Sequence, residues 1–389
     1  MFPHFALYLS QNVWGPFRLL SSHLVLIVLG GFLCGLLNWY LLPRMWKLLP
    51  RDQGKKFVKG SEVAKGKPTG AGIIMVSLFL LCLLLVMPPS WKAGGLAFCL
   101  LLAMLTGYLD DASEHPWNQL KKGLLDFGVC VLTVVCLTEC QPMTIWLPVF
   151  KGELPGGGYL VPFWAYLPCA TALLWASINV VNCSDGVDGL AGSLSLLGLM
   201  AMGALLYGIV GHSEVASFLL LPHNQKGAMW AIIVFTAAGG LAGYLWYNAY
   251  PSSVLMGDAG SRFLGLLLGI TILEAGNPFL ILVAEPILFF DGGLGLFKLV
   301  VMRVLKKFGV DTRPPLRNYQ SVLHPENFAT EEEEKKQIAV VRWLHSFRCP
   351  VHDQCRKNQG WSDTQVLVRF MLIQSALMPI IIVLLIKLR

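Results

Sequence analysis

The chain has 389 residues, 55% of them hydrophobic and only 14% charged, with a mean hydropathy of +0.61 and a formal net charge of +7. That composition lies outside the range of soluble domains. The positive charge does not point to nucleic acid, because it is confined to a few segments between apolar runs rather than spread over a surface.

Apolar runs of roughly the twenty residues that cross a bilayer as a helix predict an all-α integral membrane protein of about ten spans, one polytopic domain over residues 1–389. The runs are 22–46, 71–88, 94–109, 123–137, 162–181, 190–210, 228–247, 263–273, 279–304 and 366–386. The first is too long for the apolar core of a signal peptide and reads as a retained span. Most of the ten cysteines, Cys34, Cys82, Cys99, Cys130, Cys136 and Cys169 among them, lie inside these runs, where a free thiol behaves as a small hydrophobe. With the N-terminus outside, the inward segments are 44–68, 110–122, 182–189, 248–262 and an extended loop, 302–369. They hold 23 of the 30 lysines and arginines, whereas the outward loops hold Lys92, Lys151 and Lys226. Basic residues stay on the cytoplasmic side, so these five segments are expected to face the cytoplasm.

The basic loop 44–68 runs into Thr69, Gly70, Ala71 and Gly72, so Lys65 and Lys67 could gather an anionic headgroup where small residues permit close approach. The third run ends in Asp110 and Asp111, two carboxylates that oppose the helix dipole and repel each other, which argues for chemistry over a simple helix end. Lys121 and Lys122 follow and either could hold a phosphate. Pro155 to Gly158 predicts a turn or short hairpin on the outward side.

At 175–192 an apolar run ends in Asn182, Asp185 and Asp188, spaced by three, a spacing that on a helical turn would aim an amide and two carboxylates into one volume. Capping of the next helix by Asp185 or Asp188 is the plainer alternative. Asp258 then stands between glycines at the inward end of the seventh run. Further on, Glu285 and Asp291 interrupt the ninth, with Gly292 and Gly293 permitting a break there. In the long loop, Cys349, His352 and Cys355 lack an evident fourth ligand for zinc. Acids from three separate loops on one face, with lysines nearby, point to phosphate chemistry assisted by magnesium, which binds through one or two carboxylates plus substrate phosphates.

Five segments in order, KGKPTGAG at 65–72, GYLDD at 107–111, NCSDGVDGLAG at 182–192, MGDAGS at 256–261 and QGWSDTQVLVRF at 359–370, resemble the phospho-N-acetylmuramoyl-pentapeptide transferases, within the wider polyprenyl-phosphate sugar-1-phosphate transferases. The resemblance implies a Mg²⁺-dependent enzyme of the bacterial plasma (inner) membrane, active site cytoplasmic, that converts UDP-N-acetylmuramoyl-pentapeptide and undecaprenyl phosphate to lipid I and UMP for peptidoglycan synthesis. It assigns catalysis to Asp110, Asp111 and Asp258, and metal binding to Asp258 with Asp185 as a second candidate. Substrate binding falls to Lys65, Thr69, Lys121 or Lys122, Asn182, Asp185, Asp188 and His352. The lipid bilayer is an expected partner, and a homodimer remains open. Two departures stand out: the family's histidine triplet reads His352, Asp353, Gln354, and Leu255 stands where the family has an aromatic. The competing readings are the same transfer from UDP-N-acetylglucosamine, a secondary transporter, and a non-catalytic cell-wall scaffold.

Overall fold

A computed structural model of the chain describes residues 2–52, 65–87, 90–113, 115, 117–154, 156–315 and 328–388. The described chain is helical apart from one short hairpin. After α1 (Phe2–Asn12) come α2 (His23–Met45), α3 (Gly72–Val86), α4 (Trp91–Asp111) and α5 (Gln119–Thr138). The hairpin pairs β1 (Met143–Ile145) with β2 (Tyr159–Val161), and α6 (Phe163–Ser184), α7 (Leu190–Leu205) and the short α8 (Ser213–Phe218) follow. Next come α9 (Gly227–Asn248), α10 (Gly257–Glu274), α11 (Ile281–Ala284) and α12 (Pro286–Lys307). The chain closes with α13 (Glu331–Lys336), α14 (Ala339–Ser346), α15 (Val351–Asn358) and α16 (Asp363–Lys387).

Each of the ten apolar runs corresponds to a helix or helix pair, and the protein is an all-α, multi-pass membrane protein. By length and apolarity alone, however, six helices among the described residues are able to cross a bilayer, or seven if the bent α11–α12 pair counts as one span. The shortfall from ten has a physical cause. Helix α3 has only 15 residues, and both α5 and α10 carry charges: Lys121, Lys122 and Asp126 on one, Asp258, Arg262 and Glu274 on the other. The expected break at Gly292 and Gly293 is also corrected. The chain bends by 105° at Glu285 and Pro286 instead, where the proline ring cannot continue the helix behind it. Gly292 lies within α12, and a Cβ there would collide with the Val180 carbonyl, so that glycine serves close packing on α6.

Helix α10 is the pillar. From Ala259 to Glu274 every residue is buried, Arg262 and Glu274 included, and α3, α4, α6 and α7 surround it. Helix α2 lies along α9 through facing small residues: a Cβ on Gly239 or Gly243 would collide with the backbone of Gly31 or Gly35, a close approach typical of membrane helices. Outside this core, Leu81, Leu84, Phe98, Leu124, Phe127, Leu372 and Ile380 are exposed, the apolar exterior a bilayer requires. The hairpin seals the C-terminal end of α10, where Trp146 donates through Nε1 to the Ala275 carbonyl at 2.8 Å. The opposite end of α10 carries the acids.

Candidate active site

Gly257 adopts φ +72°, which turns the chain sharply into α10 and places Asp258 in its first turn. Residues 68–72 run beside this turn: Leu255 donates its N–H to the Pro68 carbonyl (2.8 Å), and Ala71 and Gly72 donate to the carbonyls of Leu255 and Met256 (3.1 Å each). A Cβ on Gly72 or Gly107 would strike the α10 backbone at Gly260 or Asp258. Glycines in three separate segments therefore bring α3, α4 and α10 together backbone to backbone.

The paired acids at the end of α4 then divide their work. Asp111 accepts the N–H groups of Asp258 and Ala259 at 3.0 Å each, one on either oxygen. Its charge, unfavourable at the end of its own helix, is thereby spent on the positive N-terminus of α10. Asp110 accepts the Trp117 N–H at 2.9 Å and forms an ion pair with Lys122. The same Lys122 ammonium lies 3.1 Å from Asp258 Oδ2. Lys121 instead sits over the Trp117 ring, 3.5 Å from its centroid, so of the two lysines it is Lys122 that faces the acids.

Asp258 is held from two further directions. Asn182 donates to its Oδ1 at 3.0 Å while also reaching Ser261 Oγ at 2.9 Å. Arg262, one helical turn along α10, reaches Oδ2 at 3.3 Å and donates its other terminal nitrogen to Asp126 at 3.1 Å. Asp110, Asp126 and Asp258 face two cations, Lys122 and Arg262, which leaves this group of side chains with surplus negative charge at a helix mouth. Among the described residues no three acids, histidines or cysteines form a ready-made metal cage. Oxygen donors with uncompensated charge nevertheless suit a hard divalent cation that draws its remaining ligands from phosphate and water.

Comparison with known proteins decides the family. A family model described as glycosyl transferase family 4 matches residues 93–276, the segment that holds Asp110, Lys122, Asn182 and Asp258. A phospho-N-acetylmuramoyl-pentapeptide-transferase of Treponema pallidum (strain Nichols) is 38% identical over 379 residues, 97% of this chain and 94% of the relative. This chain belongs to the phospho-N-acetylmuramoyl-pentapeptide-transferase family. Relatives of the same name from Nautilia profundicola (32% over 226 residues, 55% of this chain and 62% of the relative) and Campylobacter jejuni strain RM1221 (28% over 297 residues, 71% and 82%) extend the similarity at lower identity.

Other residues marked by resemblance to the transferase family lie around this cluster without all joining it. The three-residue spacing of Asn182, Asp185 and Asp188 does not carry one shared face, because α6 ends at Ser184 and glycines turn the chain. Asn182 points to Asp258. Asp188 accepts the Ser252 N–H at 2.9 Å and lies 3.6 Å from Lys67, which itself donates to Ser252 Oγ at 3.0 Å. Asp185, at the C-terminal cap of α6, lies with Asp188 within electrostatic range of the buried Tyr244 hydroxyl. Neither Asp185 nor Asp188 caps α7. Gly189 occupies that position, and its N–H donates to Asn248 Oδ1 at 2.9 Å. Lys65 is exposed, and half-buried Thr69 donates its N–H to the Pro50 carbonyl at 2.9 Å.

His352 is buried against the same loop, where a Cβ on Gly186 would collide with its Nε2. Its Nδ1 meets Asp291 Oδ2 at 2.8 Å. Burial pushes the thiols of nearby Cys349 and Cys355 up from their ordinary value, which disfavours the thiolate that zinc would need.

Sequence reasoning passed over Asp126 and Arg262. Both are charges inside or beside apolar runs, a position that by itself marks a functional or paired group, and that signal was open to reading.

Proposed function

We propose that this chain transfers phospho-N-acetylmuramoyl-pentapeptide from its UDP carrier to undecaprenyl phosphate, releasing UMP and leaving lipid I in the bacterial plasma membrane. The observation that carries the reading is the Lys122 ammonium shared by Asp110 and Asp258, a cation among acids at the mouth of membrane helices. Near-full-length similarity to the Treponema transferase supports the choice of donor. The excess of basic residues on the loops of this face supports a cytoplasmic orientation.

In this reading an oxygen of the lipid phosphate attacks the phosphorus that bears the sugar. A new P–O bond forms as the bond to UMP breaks, and UMP departs with the electron pair. Positioning and charge neutralisation supply most of the acceleration in such transfers. Lys122 would hold an anionic phosphate oxygen, drawn from its two carboxylates as substrate enters. Asn182 and Arg262 keep Asp258 from turning, and Asp126 keeps Arg262 from following the substrate. Asp110 is the candidate acceptor for a proton from the lipid phosphate. A covalent route through a phosphorylated Asp110 is the alternative, and a radiolabelled protein intermediate trapped under single-turnover conditions would reveal it. Magnesium would be held by Asp258 with Asp110, and Asp185 is the further candidate from the neighbouring loop. When bound, the ion supplies neutralising charge to the diphosphate.

The test is donor choice. Purified protein given undecaprenyl phosphate and either UDP-N-acetylmuramoyl-pentapeptide or UDP-N-acetylglucosamine should form lipid product and UMP from the first alone. Product from the second only would replace this reading with the N-acetylglucosamine-1-phosphate one.

A further inference from the structure

Asp291 has no part in the cluster around Asp258, yet it is fully buried in α12. A buried carboxylate is costly unless every oxygen finds a donor. Both donors come from one residue: Asp291 Oδ1 accepts the His352 N–H and Oδ2 meets His352 Nδ1, each at 2.8 Å. The first bond supplies the N-terminus of α15 with an acceptor that Pro350, at its cap, has no side chain to provide. The second fixes the ring. A carboxylate only accepts, so Nδ1 must carry its proton and donate, and Nε2 is left pointing at Gly186, in the turn between Asp185 and Asp188. A glycine is needed there, since any side chain would displace the imidazole.

We propose that Asp291 is a positioning residue for the donor substrate. It clamps His352 so that Nε2, left as an acceptor, is held beside the 185–188 turn to take a hydrogen bond from a hydroxyl or N–H of the UDP donor. A two-point clamp matters because a free imidazole would rotate about two side-chain bonds, whereas the bound one offers a single geometry at no further ordering cost. The inference rests on the transferase reading for the identity of the donor, but not for the clamp itself.

The experiment uses the full chain with ¹⁵N-labelled histidine in nanodiscs, His352 being assigned by its loss in His352→Gln. Adding uridine 5′-diphosphate should shift the His352 Nε2 resonance in the unaltered protein and leave it unmoved in Asp291→Leu. Asp291→Asn keeps an acceptor for the His352 N–H, so it should fold and show a weakened shift. In turnover, Asp291→Leu and His352→Gln should each raise KM for the UDP donor about tenfold with kcat within about threefold, and the double variant should raise it no further. An Nε2 resonance indifferent to the nucleotide, or effects that multiply in the double variant, would overturn the proposal. A nucleotide-dependent shift in a protein that forms no lipid product would leave the clamp standing and condemn the transferase reading instead.

Discussion

Arg262 and Arg313 each bridge a pair of acids, and their surroundings give the two arrangements different meanings. Arg262 joins Asp126 to Asp258 with side chains 2%, 5% and 23% exposed. Arg313 joins Asp311 to Glu333 with side chains 39%, 36% and 40% exposed, in the long segment before α16. In the first, water cannot stand in for a lost partner, so each group depends on the others. In the second, solvent competes with every contact and the pair adds little. The buried bridge also ends on a carboxylate that shares Lys122 with Asp110, whereas the exposed one ends in the capping box of α13. Charge pairing alone does not identify a site. Pairing that is buried on one side and open on the other does.

That contrast breaks if the buried network proves as dispensable as the exposed one. Removing divalent cations with a chelator should abolish transfer, and Mg²⁺ should restore it. Persistence of full activity would remove magnesium from the account. Lys122→Met should lower kcat about a hundredfold or more while Lys121→Met stays within about threefold, a difference that steady-state kinetics on the two variants resolves. Arg262→Met strands Asp126 inside the helices and should cost about 3–5 kcal/mol of stability, read as a lowered Tm in detergent. Gly257→Ala, at φ +72° and against the Asp111 carboxylate, should cost about 1–3 kcal/mol and reduce turnover.

Arg313→Ala should leave turnover unchanged and lower Tm near neutral pH only slightly. The Arg313 guanidinium holds the Asp311 carboxyl below its usual range, and the Thr330 N–H, with Arg313, does the same for Glu333. Whatever small stabilisation this gives is present above the ordinary carboxylate range and is lost as pH falls through the depressed values. The substitution should therefore lower the neutral plateau of a stability profile slightly and leave its low-pH end unchanged, so that the acid limb is flatter.

Much of this was legible in the sequence, for reasons that differ from residue to residue. Apolar runs located each helix that is long and apolar enough to cross a bilayer among the described residues, because hydrophobic length is what a bilayer demands. The convergence of Asp110 and Asp258 followed from placing their loops on one face. The shared geometry expected for Asn182, Asp185 and Asp188 did not follow, because spacing predicts a face only while the helix lasts, and α6 ends at Ser184. Asp110 and Asp111 could be expected to part, because adjacent helical positions point about 100° apart, and the two carboxylates do serve different helices. The bond between Asp291 and His352, 61 positions apart in the chain, left no local signal beyond a charge in an apolar run. Nor did the sequence distinguish Lys121 from Lys122, since the choice rests on which side of α5 meets α10.

The central claim is that one carboxylate on the first turn of α10 makes the site chemically competent. Asp258→Asn keeps the size of the side chain and a hydrogen-bonding tip, so the protein should still fold, as a Tm measurement would confirm. Its rate of UMP release from UDP-N-acetylmuramoyl-pentapeptide in the presence of undecaprenyl phosphate should fall about a thousandfold or more. A folded Asp258→Asn protein that releases UMP at the unaltered rate would contradict the account.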